Sequence, residues 1–407
     1  VTARSVPALR ALLRERGLEV VMLATPAVSL VASVLIARSV GPSGRGHLVT
    51  LATWGQVLAW VSGLSIDKAL IASRTSSPGT DPAPLVRSGV TVMLLAGGLG
   101  AAASVAVGAS LFDHWYLLAL IPAVVLGTVL VDARAATLLV ADRWRPYVLL
   151  RGAQPVVYLA GCAVAFAVPG LGDATRVGVF ALALVASVWL PALALGGAAG
   201  PRLRRPDRVH VRALAGFGAK YHAGLVLHFL NSRIDLLAMP LLFSAAQVGV
   251  YAVATSAGQI VALLGSASLI RGLAGRTVRG RRVDRAGLLL AVAVAAVIGV
   301  LSTWLIPLFF GEAFAGAVRP AQLLCVGGVL MYVLQGLNGK LAGDGSPQAT
   351  ILVNAVGTVS FMILLVFART IDGVAVANVV STALALACAW WLSRRVADAG
   401  AVRAGVA

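Results

Sequence analysis

Residues 228–240 read HFLNSRIDLLAMP. Apolar residues flank this stretch on both sides, Ala223 to Leu227 before it and Leu236 to Phe243 at its end, yet Asn231, Arg233 and Asp235 sit in its middle. A charge at the centre of a bilayer costs about 2.5–3.5 kcal/mol on insertion scales, so such residues face protein or water and mark a functional path. The surrounding chain decides whether a bilayer is the right solvent. Of its 407 residues, 59% are hydrophobic and only 12% charged, where a soluble domain carries about 25%. Mean hydropathy is +0.93. The chain reads as an all-α integral membrane protein.

A spanning helix needs about 20 mostly apolar residues. Twelve such runs occur, near 18–37, 47–71, 88–112, 115–140, 147–168, 177–198, 214–243, 247–271, 286–310, 319–342, 347–368 and 371–393. A basic linker, GPRLRRPDRVHVR at 200–212, separates the first six from the last six. This gives an N-terminal lobe over 1–200 and a C-terminal lobe over 201–407. Basic residues concentrate on one set of connections, with Arg202, Arg204, Arg205, Arg208 and Arg212 in the linker and Arg276, Arg279, Arg281, Arg282 and Arg285 in a later loop. Arg38, Arg45, Arg176, Arg319 and Arg369 are all that falls to the other side. Cytoplasmic loops are enriched in Lys and Arg, so both termini are expected in the cytoplasm. The first apolar run is long enough to remain in the membrane and does not read as a cleaved signal.

The two halves echo one another. GHLVTLATWGQVLAW (46–60) aligns with GVYAVATSAGQIVAL (249–263), pairing Gly46 with Gly249, Gly55 with Gly258 and Gln56 with Gln259. Six passes per half make the repeats parallel, which predicts two six-helix lobes around a central cavity and alternating access to it.

At about 100° per residue, Lys220, His228, Asn231 and Asp235 share one side of the seventh span, and Arg233 lies on roughly the other. Residues two apart on a helix do not face each other, so Arg233 and Asp235 each need a separate partner. Thr53, Gln56, Trp60, Gly63 and Asp67 make a stripe on the second span, and Arg151, Gln154 and Tyr158 one on the fifth. Asp132 and Arg134 lie on the fourth span, Lys68 at the end of the second, and Lys340 on the tenth. The alternatives are structural: Lys68, Arg134, Arg151 and Lys340 snorkel to an interface, Asp67 and Lys68 form a boundary pair, and Arg233 and Asp235 belong to a network that locks helix contacts.

Several classes are excluded or disfavoured. The net charge of +18 comes from basic loops without interleaved aromatics, so nucleic acid is not the expected partner. Cys162, Cys325 and Cys388 lie singly in apolar runs, giving no disulfide or metal pattern, and no metal or other cofactor is expected. No GxSxG, HExxH or GxxxxGK[ST] motif is present, and loops of about fifteen residues cannot house a catalytic domain of 50 or more. The chain reads as a transporter and not an enzyme.

Two stretches carry a family resemblance. ARSVGPSGRG (37–46) is similar to an A-R-x-L-G-P-x-G-x-G opening, matched at Arg38, Gly41, Pro42, Gly44 and Gly46. LNSRIDLLAMPLLFSAAQVGVYAVATS (230–256) is similar to an N-x-R-x-D span leading to G-x-Y-x-x-A, matched at Asn231, Arg233, Asp235, Gly249, Tyr251 and Ala254. Both resemble the polysaccharide (oligosaccharide-lipid) flippases of the multidrug/oligosaccharidyl-lipid/polysaccharide exporter superfamily. Many of those have longer loops or extra spans, and this chain is compact. The resemblance implies transfer of an undecaprenyl-pyrophosphate-linked oligosaccharide from the inner to the outer leaflet during cell-surface polysaccharide (including lipopolysaccharide) biosynthesis. It implies coupling to H+ or Na+ in some relatives, and a polysaccharide polymerase or glycosyltransferases of the same pathway as partners. An anionic head group in a low-dielectric region calls for cations, and the planar fork of arginine suits phosphate. Arg233, Arg134, Lys220 and Lys68, with Asn231 and Gln56, are the expected substrate contacts. Asp235, Asp67 and Asp132 are the expected ion-coupling or charge-partner residues. The alternatives are a cation-coupled multidrug or small-metabolite exporter with the same fold, which predicts an acidic, aromatic-rich cavity, and a non-transporting scaffold, whose charges could be neutralised without loss.

Overall fold

The computed structural model describes residues 5–76, 82–195, 207–273, 285–343 and 347–405. These form twelve α-helices and one 3-10 segment, Glu312–Ala317, and no strand. A bilayer core offers no partner for backbone N–H and C=O groups, so a chain this apolar satisfies them within helices. Eleven helices are long and apolar enough to cross a membrane. Large apolar side chains stand on the outside, Trp115 at 78% and Phe367 at 75% exposure among them, an exterior suited to lipid rather than water. The chain is a multi-pass integral membrane protein.

Helix α1 (Ser5–Ser62) supplies two passes. Its course breaks at Gly41, with φ 62° and ψ −169°, a conformation open almost only to glycine. The Nη1 of Arg45 donates to the carbonyl of Ser33 at 2.9 Å. Twelve residues of straight helix would separate these two by about 18 Å, so the chain folds back at Gly41 into a helical hairpin. Ala32 and Ile36 on one arm share a core with Leu48 and Leu51 on the other. The hairpin thus brings the passes to the expected twelve.

The connection between the first two passes is a tight turn at Gly41 rather than a loop with two free arginines. Arg45 is 4% exposed and held by the backbone of the neighbouring arm, while Arg38 remains exposed. The second pass also ends earlier than 71. Leu64 and Ser65 take positive φ, 51° and 53°, and stop the helix before α2 (Ile66–Ser76) begins. Ser65 Oγ is 3.0 Å from Nδ1 of His222, and a Cβ on Gly218 would lie 2.7 Å from the carbonyl oxygen of Leu64.

The chain divides into two compact units, Val1–His222 and Ala223–Ala407, so the division falls inside α7 (Arg208–Leu242). In the first unit, α3 (Ala83–Leu111), α4 (Trp115–Val140), α5 (Trp144–Ala167) and α6 (Asp173–Ala194) complete the bundle. Its interior has two centres. Leu51, Leu117, Ile121 and Phe180 form one, and Leu70, Met93, Val129 and Leu214 the other. The second unit comprises the rest of α7, α8 (Ala245–Leu273), α9 (Arg285–Phe310), α10 (Val318–Gly343), α11 (Pro347–Phe367) and α12 (Ile371–Gly405). Val261, Ala291, Cys325 and Tyr332 pack at one centre, and Leu334, Leu341, Val353 and Ala385 at another.

Candidate functional site

In the second unit, Asp235 is 6% exposed. Its Oδ2 accepts a hydrogen bond from Tyr251 Oη on α8 at 3.0 Å and from Asn378 Nδ2 on α12 at 3.3 Å. Its Oδ1 accepts the N–H of Leu236 at 2.8 Å. One helical turn earlier, Asn231 Nδ2 donates to Asn354 Oδ1 on α11 at 3.4 Å. Asn354 in turn donates to the Thr350 carbonyl at 3.0 Å. A Cβ on Gly357 would lie 2.6 Å from Asn231 Oδ1, so glycine there leaves room for the Asn231 amide, which any side chain would have to displace. One face of α7 is therefore stitched by Asn231 and Asp235 to three helices. All the donors to Asp235 are neutral. Among the described residues no basic side chain lies within ion-pair distance of it. A carboxylate so placed can take up a proton or a small cation, the chemistry required of a coupling residue.

Arg233 is half-buried and makes no hydrogen bond or ion pair with any described residue. It and Asp235 do not meet, in keeping with their two-residue spacing. The charge of Asp235 lies within electrostatic reach, but the N–H groups of the guanidinium are not taken up by it and are open to an anionic ligand. Lys220 belongs to α7, but its side chain lies outside the described residues. His228, on the Asn231 side of the helix, has its ring 5.9 Å from that of Phe229.

In the first unit, Arg151 Nη2 donates to Asp132 Oδ1 at 2.7 Å, joining α5 to α4. Tyr147, one turn before Arg151, hydrogen-bonds to it. Asp67 and Lys68 on α2 pair at 2.6 Å, and both charges lie within electrostatic reach of Asp132. Asp67, Lys68, Asp132 and Arg151 are thus brought together. Arg134 is half-buried on α4, and Gln56 is exposed on the second arm of α1. Asp67 does not continue the Gln56 stripe, because the break at Leu64 and Ser65 puts it on a separate helix. Among the described residues no group of three or more His, Cys, Asp or Glu side chains could hold a metal ion.

Three contributors were not singled out from the sequence as site residues: Tyr251, Asn354 and Asn378. Tyr251 lay in the motif without a role. The two asparagines are polar residues in otherwise apolar spans, the same signal that drew attention to Asn231.

No family model matches the chain, and no curated protein matches it in sequence. Solved structures match it in fold. The lipid II flippase MurJ in an inward closed conformation superposes with a TM-score of 0.76 at 11% identity, over 93% of this chain and 87% of that one. A multidrug resistance MATE family transporter of the MOP superfamily, inward-facing, gives 0.66 at 14% identity, over 93% and 98%. A MOP superfamily transporter from Pyrococcus furiosus, described as having a binding pocket of reversed polarity, gives 0.52 at 12% identity, over 94% and 95%. The chain therefore has the fold of the MOP superfamily transporters, the multidrug/oligosaccharidyl-lipid/polysaccharide exporters. Within that class its fold is shared by a lipid-linked substrate flippase and by multidrug exporters alike.

Proposed function

We propose that this protein is a flippase that carries an undecaprenyl-pyrophosphate-linked oligosaccharide from the inner to the outer leaflet of a bacterial inner membrane by alternating access. Both termini lie in the cytoplasm, and the activity serves cell-surface polysaccharide synthesis. The observation that carries this reading is Arg233. It is a half-buried guanidinium within an apolar span, within electrostatic reach of Asp235 but with no carboxylate hydrogen-bonded or ion-paired to it among the described residues. A pyrophosphate supplies the missing anion, and arginine can bind it bidentately. The likeness in fold to the MurJ lipid II flippase supports the same reading. Lys68, Arg134 and Lys220 are the further positive groups, with Asn231 and Gln56 as polar contacts. Asp235 is the coupling residue, taking H+ or Na+, and Asp67 and Asp132 hold the basic groups of the first unit.

One observation favours the second reading, a cation-coupled exporter of cationic small molecules. Asp235 is a buried carboxylate whose hydrogen-bond donors are all neutral and which is in no ion pair among the described residues, and multidrug MATE transporters share the fold. The two readings separate in proteoliposomes. With a fluorescent lipid-pyrophosphate oligosaccharide, wild-type protein should accelerate flipping over empty vesicles, Arg233→Ala should lower the rate about tenfold or more, equivalent to about 1.4 kcal/mol or more, and Arg233→Lys should recover part of it. Unaccelerated flipping by wild type, together with uptake of a cationic dye, would move the assignment to the exporter.

A further inference from the structure

The second unit carries an apolar groove between α10 and α12. Its volume is about 390 Å³, and it is lined by Val333, Leu337, Ala383, Leu386, Ala387 and Trp390. The volume falls within the range of about 300–1,000 Å³ typical of ligand clefts. The α12 residues recur at i, i+3, i+4 and i+7, one helical face. Arg394, four residues beyond Trp390, continues that face, and its guanidinium sits 3.5 Å from the centroid of the Trp390 ring. Such a contact holds a cation by the ring quadrupole. On α10, Val333 and Leu337 are followed at i+7 by Lys340, which is exposed. Helices α10 and α12 are alternate passes and run parallel, so Lys340 and Arg394 mark the same end of the groove. Arg395 lies beside them, 4.0 Å from the Trp391 ring. Among the described residues, none of these three cations is in an ion pair.

An open apolar groove ending in two cations fits an amphiphile with one long chain and a multiply charged anionic head. We infer that the groove receives the isoprenoid chain of a polyprenyl pyrophosphate, with Lys340 and Arg394 holding the head group, as a loading site separate from Arg233. This rests on the flippase reading above. The charge complement favours pyrophosphate over a common anionic phospholipid, whose single phosphate needs only one of the two cations. The sequence-predicted role of Lys340, snorkelling to an interface, accounts for its exposure but not for a cleft between it and a Trp-pinned arginine.

The test is photocrosslinking in phosphatidylcholine nanodiscs with a polyprenyl pyrophosphate bearing a diazirine on its chain, the adducts mapped by mass spectrometry. Adducts should fall on 333–337 and 383–390. They should decrease about fivefold or more in Ala387→Trp, which fills the groove, and in the Lys340→Gln/Arg394→Gln double variant, whose exposed positions leave the fold intact if Ala387→Trp does not express. Arg233→Ala should leave them unchanged. Polyprenol and phosphatidylglycerol at equal concentration should compete by less than twofold. Adducts that leave 333–337 and 383–390 unlabelled, groove adducts insensitive to the charge variant, or equal displacement by phosphatidylglycerol would overturn the groove assignment. If wild type flips the labelled lipid while the groove stays unlabelled, only this inference is lost. If it neither flips nor crosslinks, the proposed function is lost with it.

Discussion

Gly55 and Gly258 stand 203 residues apart and do the same work in their separate units. Each lets its helix press against the second membrane pass further along the chain. A Cβ on Gly55 would lie 2.6 Å from Val124 on α4, and one on Gly258 would lie 2.7 Å from the Leu324 carbonyl oxygen on α10. The second contact is reciprocal, because a Cβ on Gly328 would meet the Gly258 carbonyl at 2.7 Å. Small residues at helix crossings let backbones approach in membranes, where packing replaces the hydrophobic drive. Gly258→Ala must displace backbone and should destabilise by about 1–3 kcal/mol, the usual cost of overpacking. Gly55→Ala meets only a side chain and should cost less. Thermal unfolding in detergent ranks the two, and a Gly258→Ala protein that melts with wild type would remove the close crossing.

The hairpin in α1 gives a second prediction. Gly41 has a conformation closed to residues with a Cβ, yet nothing lies within 4 Å of where that atom would be. Gly41→Ala therefore incurs a backbone cost alone, about 1–3 kcal/mol. Gly98, within α3, also faces open space but is helical, so Gly98→Ala should be neutral or stabilising by up to about 1 kcal/mol. Opposite signs in a melting experiment would show that the turn, not the loss of a glycine, is what matters.

The Asp235 network should behave as a unit. Tyr251→Phe removes a hydrogen bond to a carboxylate and should cost about 1.5–3 kcal/mol. Asp235→Leu leaves the Tyr251 hydroxyl buried without its acceptor. The double variant should be less destabilised than the two single effects summed, with a coupling of about 0.5–3 kcal/mol. Strict additivity in the unfolding energies would mean that the two groups do not interact.

Much of this architecture was legible as run length. Twelve apolar stretches bounded by basic or glycine- and proline-containing breaks give twelve passes without knowledge of any contact. What could not be read were features fixed by distant partners. Arg45 looks like a loop cation because its acceptor, the Ser33 carbonyl, becomes available only when the chain reverses at Gly41. The break at Leu64 and Ser65 lies in an apolar run, and its anchor, His222, is 157 residues away. In the site, the intramembrane charges of α7 announced themselves by their energetic cost. Asn354 and Asn378 did not, since a single neutral amide in an apolar span gains meaning only when α7 places Asn231 and Asp235 opposite. The separate facing of Arg233 and Asp235 needed nothing beyond helical geometry.

The ion pair between Asp132 and Arg151 separates structure from transport. Both side chains are partly exposed, 18% and 32%, so neither is fully desolvated and the loss on breaking the pair stays below that of a dry one. Asp132→Asn and Arg151→Gln should each destabilise by about 1–3 kcal/mol, leaving one charge with reduced compensation. In Asp132→Asn, the freed guanidinium still has Tyr147 beside it and the Asp67–Lys68 pair within electrostatic reach of position 132. Replacing both partners, in Asp132→Leu/Arg151→Leu, removes the uncompensated charge and should recover at least half of the lost stability. If the pair only fastens α4 to α5, flipping in proteoliposomes should return with stability in the double variant. If Asp132 also orders the basic groups that meet the substrate, the double variant should melt like wild type and still flip slowly. A double variant less stable than either single change would mean that the pair is worth more than any apolar replacement at this depth, and that α4 and α5 are held chiefly by charge.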